Sequence, residues 1–165
     1  MILLVVDMQK GLVDKDLYAY DTFIDRTSKL VYTAREKGVE VIFFIHDDGT
    51  KPEIIDRVKP LKNERVYYKT INSCFGNKDF KKYMSNQKDK RLMIIGLQTN
   101  YCIDATIKSA FEKGFDIIVP EGTNSTFDNK YMNAETTVRY YNEDVWEGVV
   151  ELVSFEEAIR LLQKW

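Results

Sequence analysis

Short apolar runs rich in β-branched residues alternate along this chain of 165 residues with longer segments of helical period. Strands that are apolar throughout are buried on both faces, so this alternation predicts a parallel sheet with helices packed on each side. The runs predicted as strands are residues 1–6, 39–45, 65–68, 91–95, 115–119 and 149–153. The segments predicted as helices are residues 23–36, 79–84, 102–112, 131–142 and 155–163. With no internal repeat or linker, we expect one three-layer α/β/α domain over residues 1–165.

The composition excludes several classes of function. The formal net charge of −2 provides no basic surface for nucleic acid or an anionic membrane. No segment approaches the ~20 apolar residues of a membrane span, and the first apolar run is too short for a signal peptide. The two cysteines, Cys74 and Cys102, suit a reducing compartment better than a disulfide scaffold. We therefore expect a soluble cytoplasmic protein without nucleic-acid or membrane partners.

Cys102 occupies the position most suggestive of an enzyme. It follows the apolar run 92–95 and begins a predicted helix. Open α/β sheets bind ligands at the carboxyl ends of their strands. A helix N-terminus favours negative charge, so we expect the pKa of the Cys102 thiol to be lowered toward a reactive thiolate. The alternative is an inert buried thiol, because free cysteines are among the most buried residues.

Asp7 and Lys69 follow two other predicted strands. Alone, Asp7 is either a loop anchor or a catalytic base, and Lys69 is most simply a solvated side chain. However, the carboxyl ends of parallel strands meet at one edge, so the fold could bring both to Cys102. There the carboxylate could take the thiol proton, and the ammonium could favour the thiolate and then an oxyanion.

Two further residues have competing interpretations. His46, the only histidine, ends a predicted strand, which makes a cysteine–histidine pair conceivable. Its neighbours Asp47 and Asp48 favour a hydrogen-bonded loop anchor instead. Cys74, in the loop after Lys69, is interpreted as a small filler rather than as a partner that forms a disulfide with Cys102.

Three motifs in order along the chain carry a family resemblance. They are Val6-Asp7-Met8-Gln9, then Lys69 with a following Ser73-x-Phe75, then Gly96-x-x-Thr99-x-x-Cys102-x-x-x-Thr106-x-x-x-Ala110. With them the chain resembles the isochorismatase-like cysteine hydrolases, which include nicotinamidases and carbamoylsarcosine amidohydrolases. Segments 46–49, 125–127 and 153–158 extend the resemblance nearly from end to end.

The resemblance implies a six-stranded parallel sheet of order 3-2-1-4-5-6 and a triad of Asp7, Lys69 and Cys102. It also implies a cis peptide bond between Leu97 and Gln98. The backbone N–H groups of Gln98 and Cys102 would then hold the oxyanion. Members of the family often form dimers or tetramers, so we expect a homodimer or a higher homo-oligomer.

Departures from the family pattern narrow the chemistry. Nicotinamidases bind a metal through several histidines, and this chain has one. Leu12 stands where those enzymes usually have a phenylalanine that stacks on the substrate ring. Isochorismatases proper, which cleave a vinyl ether, often lack the cysteine. The resemblance therefore implies a metal-free, cofactor-free enzyme that hydrolyses a small amide or related C–N bond through a Cys102 thioester.

Candidate substrate contacts flank these motifs. Phe75 and Tyr101 are candidate pocket walls, and the full set is Gln9, Leu12, Asp48, Phe75, Asn100 and Tyr101. Three aromatic residues, Tyr140, Tyr141 and Trp146, either form a dimer surface or cap the domain's own sheet. Two other functions stay open: a redox or detoxifying thiol protein, and a catalytically silent binding or assembly module.

Overall fold

The apolar runs of the sequence form one parallel sheet. Its strands are β1 (Ile2–Val6), β2 (Glu40–His46), β3 (Arg65–Lys69), β4 (Arg91–Leu97), β5 (Asp116–Pro120), β6 (Asn124–Ser125) and β7 (Glu151–Val153). In this computed structural model, which describes residues 1–165, the order is β3-β2-β1-β4-β5-β7, and β6 pairs with the carboxyl end of β4. The predicted parallel architecture is confirmed. The predicted number of strands was one too low, because a two-residue strand shows no hydrophobic period.

Helices connect the strands and cover both faces of the sheet. They are α1 (Tyr20–Glu36), α2 (Lys78–Ser85), α3 (Asp104–Phe111), α4 (Ala134–Tyr140) and α5 (Phe155–Gln163). Two π-helical turns, Thr99–Ile103 and Tyr141–Val145, lie beside α3 and α4. Cys102 therefore lies in a turn that precedes α3, whereas the sequence predicted that it begins the helix itself.

The core has two halves, one on each side of the sheet. Leu3 and Val5 of β1 belong to the half that α1 and α5 cover. Leu4 and Val6 belong to the half that α2 and α3 cover. Because β1 is buried on both faces, its sequence is apolar without alternation, as expected for a central parallel strand.

Trp146 belongs to this core. Its side chain is fully buried, and its indole N–H donates to Oδ1 of Asp104 at 2.9 Å. Tyr141 packs against it edge-on, with 5.8 Å between ring centroids. These aromatic residues were expected either to form a dimer surface or to cap the domain's own sheet. Trp146 packs inside the domain, while Tyr140 remains 48% exposed.

None of the five helices combines the length and the hydropathy that a membrane crossing requires.

Candidate active site

Three strands, β1, β3 and β4, bring Asp7, Lys69 and Cys102 to one point at the carboxyl edge of the sheet. Asp7 follows β1, Lys69 ends β3, and Cys102 lies in the turn after β4. The Nζ atom of Lys69 donates to Oδ2 of Asp7 at 2.8 Å and to Sγ of Cys102 at 3.1 Å. All three side chains are buried. The strand ends thus meet as the parallel topology predicts.

Lys69 is a buried cation. Burial lowers its pKa, but the negative charge of Asp7 and the hydrogen bond to that carboxylate act in the opposite direction, and the pKa is raised overall. The side chains of Lys69 and Asp7 are 0% and 1% exposed, so water screens their attraction little. The pair therefore holds a positive charge beside the Cys102 thiol.

Asp7 keeps one carboxylate oxygen free. Its backbone is left-handed, with φ of 54°, a conformation that aspartate adopts more readily than most residues. Oδ2 accepts from Lys69, whereas Oδ1 is buried and has no hydrogen-bond partner. Such an acceptor costs free energy, and natural structures rarely tolerate one without a function. An unpaired carboxylate oxygen beside a thiol is what a general base requires.

Cys102 rests as a thiol. Burial, and then the negative charge of Asp7, raises its pKa to about 12, and the opposing effect of Lys69 is too small to reverse the shift. The expectation of a lowered pKa was wrong, because it considered the helix N-terminus and left out the loss of water around sulfur. Attack by this sulfur therefore requires that a base remove its proton during the reaction.

His46 lies at the centre of the same cluster. Its Nδ1 is 3.2 Å from Nζ of Lys69 and 3.8 Å from Sγ of Cys102. Gln9 fixes its backbone: the Gln9 amide donates to the His46 carbonyl at 2.8 Å and accepts from the His46 N–H at 2.8 Å. The NH2 and the carbonyl oxygen of the Gln9 side chain are thus both used within the protein, and Gln9 holds the end of β2.

The interpretation of His46 as a loop anchor did not predict that its imidazole lies beside Lys69 and Cys102. One signal was available: β2 lies between β3 and β1 in the predicted order, so the last residue of β2 had to lie between Lys69 and Asp7.

The turn before Cys102 presents a free backbone donor. The peptide bond between Leu97 and Gln98 is cis, and the Gln98 N–H makes no hydrogen bond within the chain. The hydroxyl of Thr126 lies 3.2 Å from Oε1 of Gln98 and 2.7 Å from Oδ1 of Asn100. Thr126 thus holds the side chains of Gln98 and Asn100. The Gln98 backbone N–H remains available to a ligand.

Three other residues expected to contact substrate differ in burial: Phe75, Leu12 and Asp48. Phe75 is 7% exposed and packs against Phe80 with 5.1 Å between ring centroids, so its ring belongs to the core. Leu12 is half-buried against the same core half as α1. Asp48 is exposed and hydrogen-bonds Thr50 in its own loop.

Two neighbours of Cys102, Tyr101 and Asn72, are exposed to solvent. Tyr101, next to Cys102 in the chain, is 53% exposed. Asn72 is also exposed, and its Oδ1 lies 3.7 Å from Sγ of Cys102. Asn72 was not predicted as a site residue, since nothing in the sequence distinguishes it within a short polar loop.

Cys74 has the surroundings of a structural residue. It is fully buried, and its backbone N–H donates to the Thr106 hydroxyl at 3.0 Å. Burial raises the pKa of its thiol far above the ordinary range. Both cysteines are free, and Cys74 fits the filler role.

Asp7, His46 and Cys102 form a possible metal-ligating set, since one ligand atom of each lies within 4.8 Å of the others. However, Nζ of Lys69 contacts all three residues, at 2.8, 3.2 and 3.1 Å. A metal ion at their centre would face this ammonium directly, and like charges at such separations repel strongly in a buried site. The set therefore fits proton transfer around a lysine better than metal binding.

Known proteins share both the sequence pattern and the fold. The family profile described as Isochorismatase domain matches residues 1–145. The uncharacterized isochorismatase family protein YddQ of Bacillus subtilis is 31% identical over 122 residues, covering 72% of this chain and 67% of YddQ. Streptothricin hydrolase of Streptomyces noursei is 27% identical over 139 residues, covering 76% of this chain and 50% of that protein.

The fold also matches a solved structure, a cysteine hydrolase from Pseudomonas syringae pv. phaseolicola 1448A. The TM-score is 0.88 at 20% identity, over 99% of this chain and 92% of that one. Because the family profile spans most of the chain and YddQ is similar over two thirds of its own length, the chain belongs to the isochorismatase family of hydrolases.

Proposed function

We propose that the protein is a cysteine hydrolase that cleaves a small amide or related C–N bond through a thioester on Cys102. One observation carries the proposal: Lys69 contacts both Asp7 and the thiol, while Oδ1 of Asp7 has no partner. A base, a cation and a nucleophile are thus in mutual reach. Two similar proteins are named a cysteine hydrolase and a streptothricin hydrolase, and both names agree with hydrolysis.

In the first half of the reaction, Asp7 accepts the thiol proton and Sγ of Cys102 bonds to the carbonyl carbon. The carbonyl electron pair moves onto oxygen, where the N–H groups of Gln98 and Cys102 stabilise it. When this intermediate collapses, the C–N bond breaks and Asp7 returns its proton to the departing nitrogen. An amine leaves and an acyl thioester remains.

In the second half, water replaces the amine. Asp7 accepts a proton from water, whose oxygen bonds to the thioester carbon. The C–S bond then breaks, the carboxylic acid leaves, and the sulfur regains a proton from Asp7. One water is consumed for each amide cleaved. Each oxyanion donor contributes about 3–4 kcal/mol where this has been measured, so the Gln98 N–H would account for roughly a hundred- to a thousandfold of the rate.

The test compares two cysteines in one chain. A screen of small amides, ureides and carbamoyl compounds identifies a substrate for the wild-type protein. Cys102→Ala then abolishes turnover and the acyl adduct seen by intact mass spectrometry, whereas Cys74→Ala retains both. Undiminished hydrolysis by Cys102→Ala would refute the thioester mechanism.

The redox alternative is weaker than the hydrolase. Redox-sensing cysteines have low pKa values and are open to solvent, whereas burial raises the pKa of both thiols here. A silent binding module would have no use for the buried pair of Asp7 and Lys69, since breaking such a pair is costly and retaining it needs a reason.

We also propose a homodimer in a reducing compartment. Tyr101 and Tyr140 are about half exposed, at 53% and 48%, and both cysteines are unpaired. Size-exclusion chromatography with light scattering tests the dimer, and a monomeric mass at micromolar concentration would exclude it. Fractionation of cells tests the compartment.

A further inference from the structure

The ammonium of Lys69 has three hydrogen-bond acceptors in reach. They are Oδ2 of Asp7 at 2.8 Å, Sγ of Cys102 at 3.1 Å and Nδ1 of His46 at 3.2 Å. A lysine ammonium carries three N–H donors and no acceptor. Each donor therefore matches one acceptor, and the Nδ1 atom can only accept. A neutral imidazole that accepts at Nδ1 carries its proton on Nε2.

We propose that His46 is a positioning residue: its unprotonated Nδ1 accepts the third N–H of Lys69 and keeps the ammonium between Asp7 and Cys102. The effect on turnover rests on the hydrolase function proposed above, whereas the hydrogen bond and the tautomer do not. Without this acceptor, the ammonium can tilt toward Asp7 alone, and the thiol loses its nearest positive charge.

The fold holds His46 in place for this role. His46 ends β2 and is paired in register with Lys69 of β3, so the two side chains start from adjacent positions. The Nε2 and Oε1 atoms of Gln9 each hydrogen-bond the His46 backbone at 2.8 Å. The imidazole is therefore fixed at its base, and the Lys69 contact does not depend on a mobile loop.

The charge state of Lys69 is consistent with this assignment. The pKa of Lys69 is raised, so the group stays an ammonium and stays a donor. The charged and titratable side chains that face His46 are Lys69, Cys102 and Asp7 in the cluster and Asp48 in its own loop.

Nitrogen NMR tests the tautomer directly. His46 is the only histidine, so isotope-labelled histidine reports this side chain alone. In the wild-type protein at neutral pH, we expect a protonated Nε2 and an unprotonated Nδ1, and in Lys69→Met a loss of this bias. A proton on Nδ1 in the wild type, or an unchanged tautomer in a folded Lys69→Met, would overturn the proposal. These spectra require no substrate.

Two substitutions separate the acceptor from the bulk of the ring. His46→Asn retains an oxygen acceptor at the δ1 position, whereas His46→Leu fills similar space without one. We expect His46→Leu to lower kcat about ten- to a hundredfold, the range for losing one hydrogen bond to a charged group, with little change in KM. His46→Asn restores most of kcat.

Equal loss in both variants, or loss in neither, would refute the positioning role. Thermal melting of the two proteins shows whether the folds match. Cys102→Ala is measured in parallel: if that variant keeps its activity, the hydrolase mechanism fails while the tautomer result stands.

Discussion

Gly96 packs directly against the carbonyl group of Val6. The two residues are partners in the register of β4 and β1, and a Cβ on Gly96 would overlap the Val6 oxygen. Gly96 also has a φ of 121°, where other residues are strained. Val6 precedes Asp7, and Gly96 precedes the turn that holds Gln98 and Cys102. A bare α-carbon thus allows the segments that carry Asp7 and Cys102 to approach one point.

Gly96→Ala should therefore lower both stability and activity. We expect a loss of about 3 kcal/mol in the free energy of unfolding, because extra volume meets backbone that cannot yield. Gly114→Ala is the matched control, since Gly114 also has positive φ, 75°, but nothing lies within 4 Å of its added carbon. That change should cost about 1 kcal/mol. Urea denaturation measures both, and equal losses would show that the Val6 contact is irrelevant.

Asp7→Asn should have opposite effects on alkylation and on hydrolysis. The Asp7 charge helps to raise the pKa of Cys102 to about 12, so removing it lowers that pKa and increases the thiolate fraction at any pH below it. Iodoacetamide should then label Cys102 faster than in the wild type. Hydrolysis should fall at least a hundredfold, as for loss of a general base. A parallel decrease in both rates would contradict the assignment of Asp7.

Substitutions of Asp7 and Lys69 should have strongly coupled effects on the free energy of unfolding. Lys69→Met leaves a buried carboxylate without its cation, which should cost about 3–5 kcal/mol. The double variant Asp7→Asn/Lys69→Met should regain most of that stability, because asparagine also tolerates positive φ and no charge remains buried. It should regain no activity. Chemical denaturation of the three variants gives the coupling, and additive losses would exclude it.

Trp146 should stabilise the segment that follows Cys102. Its fully buried ring and its bond to Asp104 predict a loss of about 3–5 kcal/mol for Trp146→Ala. Trp165→Phe is the control, since that ring is 47% exposed and should matter little. This control also leaves Trp146 as the only tryptophan, so its fluorescence follows unfolding. A stable Trp146→Ala protein would contradict the core assignment.

Chelators should leave activity unchanged. Lys69 supplies the positive charge among Asp7, His46 and Cys102, so the mechanism uses no metal ion. Turnover is measured after dialysis against EDTA and after addition of zinc. Loss of activity on dialysis, followed by recovery with zinc, would show that the three ligand atoms bind metal after all.

The meeting of Asp7, Lys69 and Cys102 could be predicted from sequence, because it follows from topology. Each residue comes directly after an apolar run, and parallel strands point their carboxyl ends the same way. Predicting this meeting required only the direction of each strand, and no knowledge of side-chain contacts.

Properties that depend on packing could not be predicted in this way. The pKa of Cys102 depends on how much water the fold removes from sulfur, and the sequence does not contain that quantity. The sequence positions of Phe75 and Trp146 fit an exposed role as well as a buried one, and both side chains lie in the core. Strand β6 has only two residues, too few for any periodic signal.

The resting thiol of Cys102 has a consequence for chemical probes. General electrophiles react with thiolates, and at neutral pH a group with a pKa of about 12 supplies almost none. A library of ordinary alkylating fragments should therefore pass this cysteine by. A reagent whose carbonyl oxygen accepts a hydrogen bond from the Gln98 N–H would be polarised in the same position where the thiol loses its proton. Selective covalent inhibitors of this protein should therefore be shaped like its substrate.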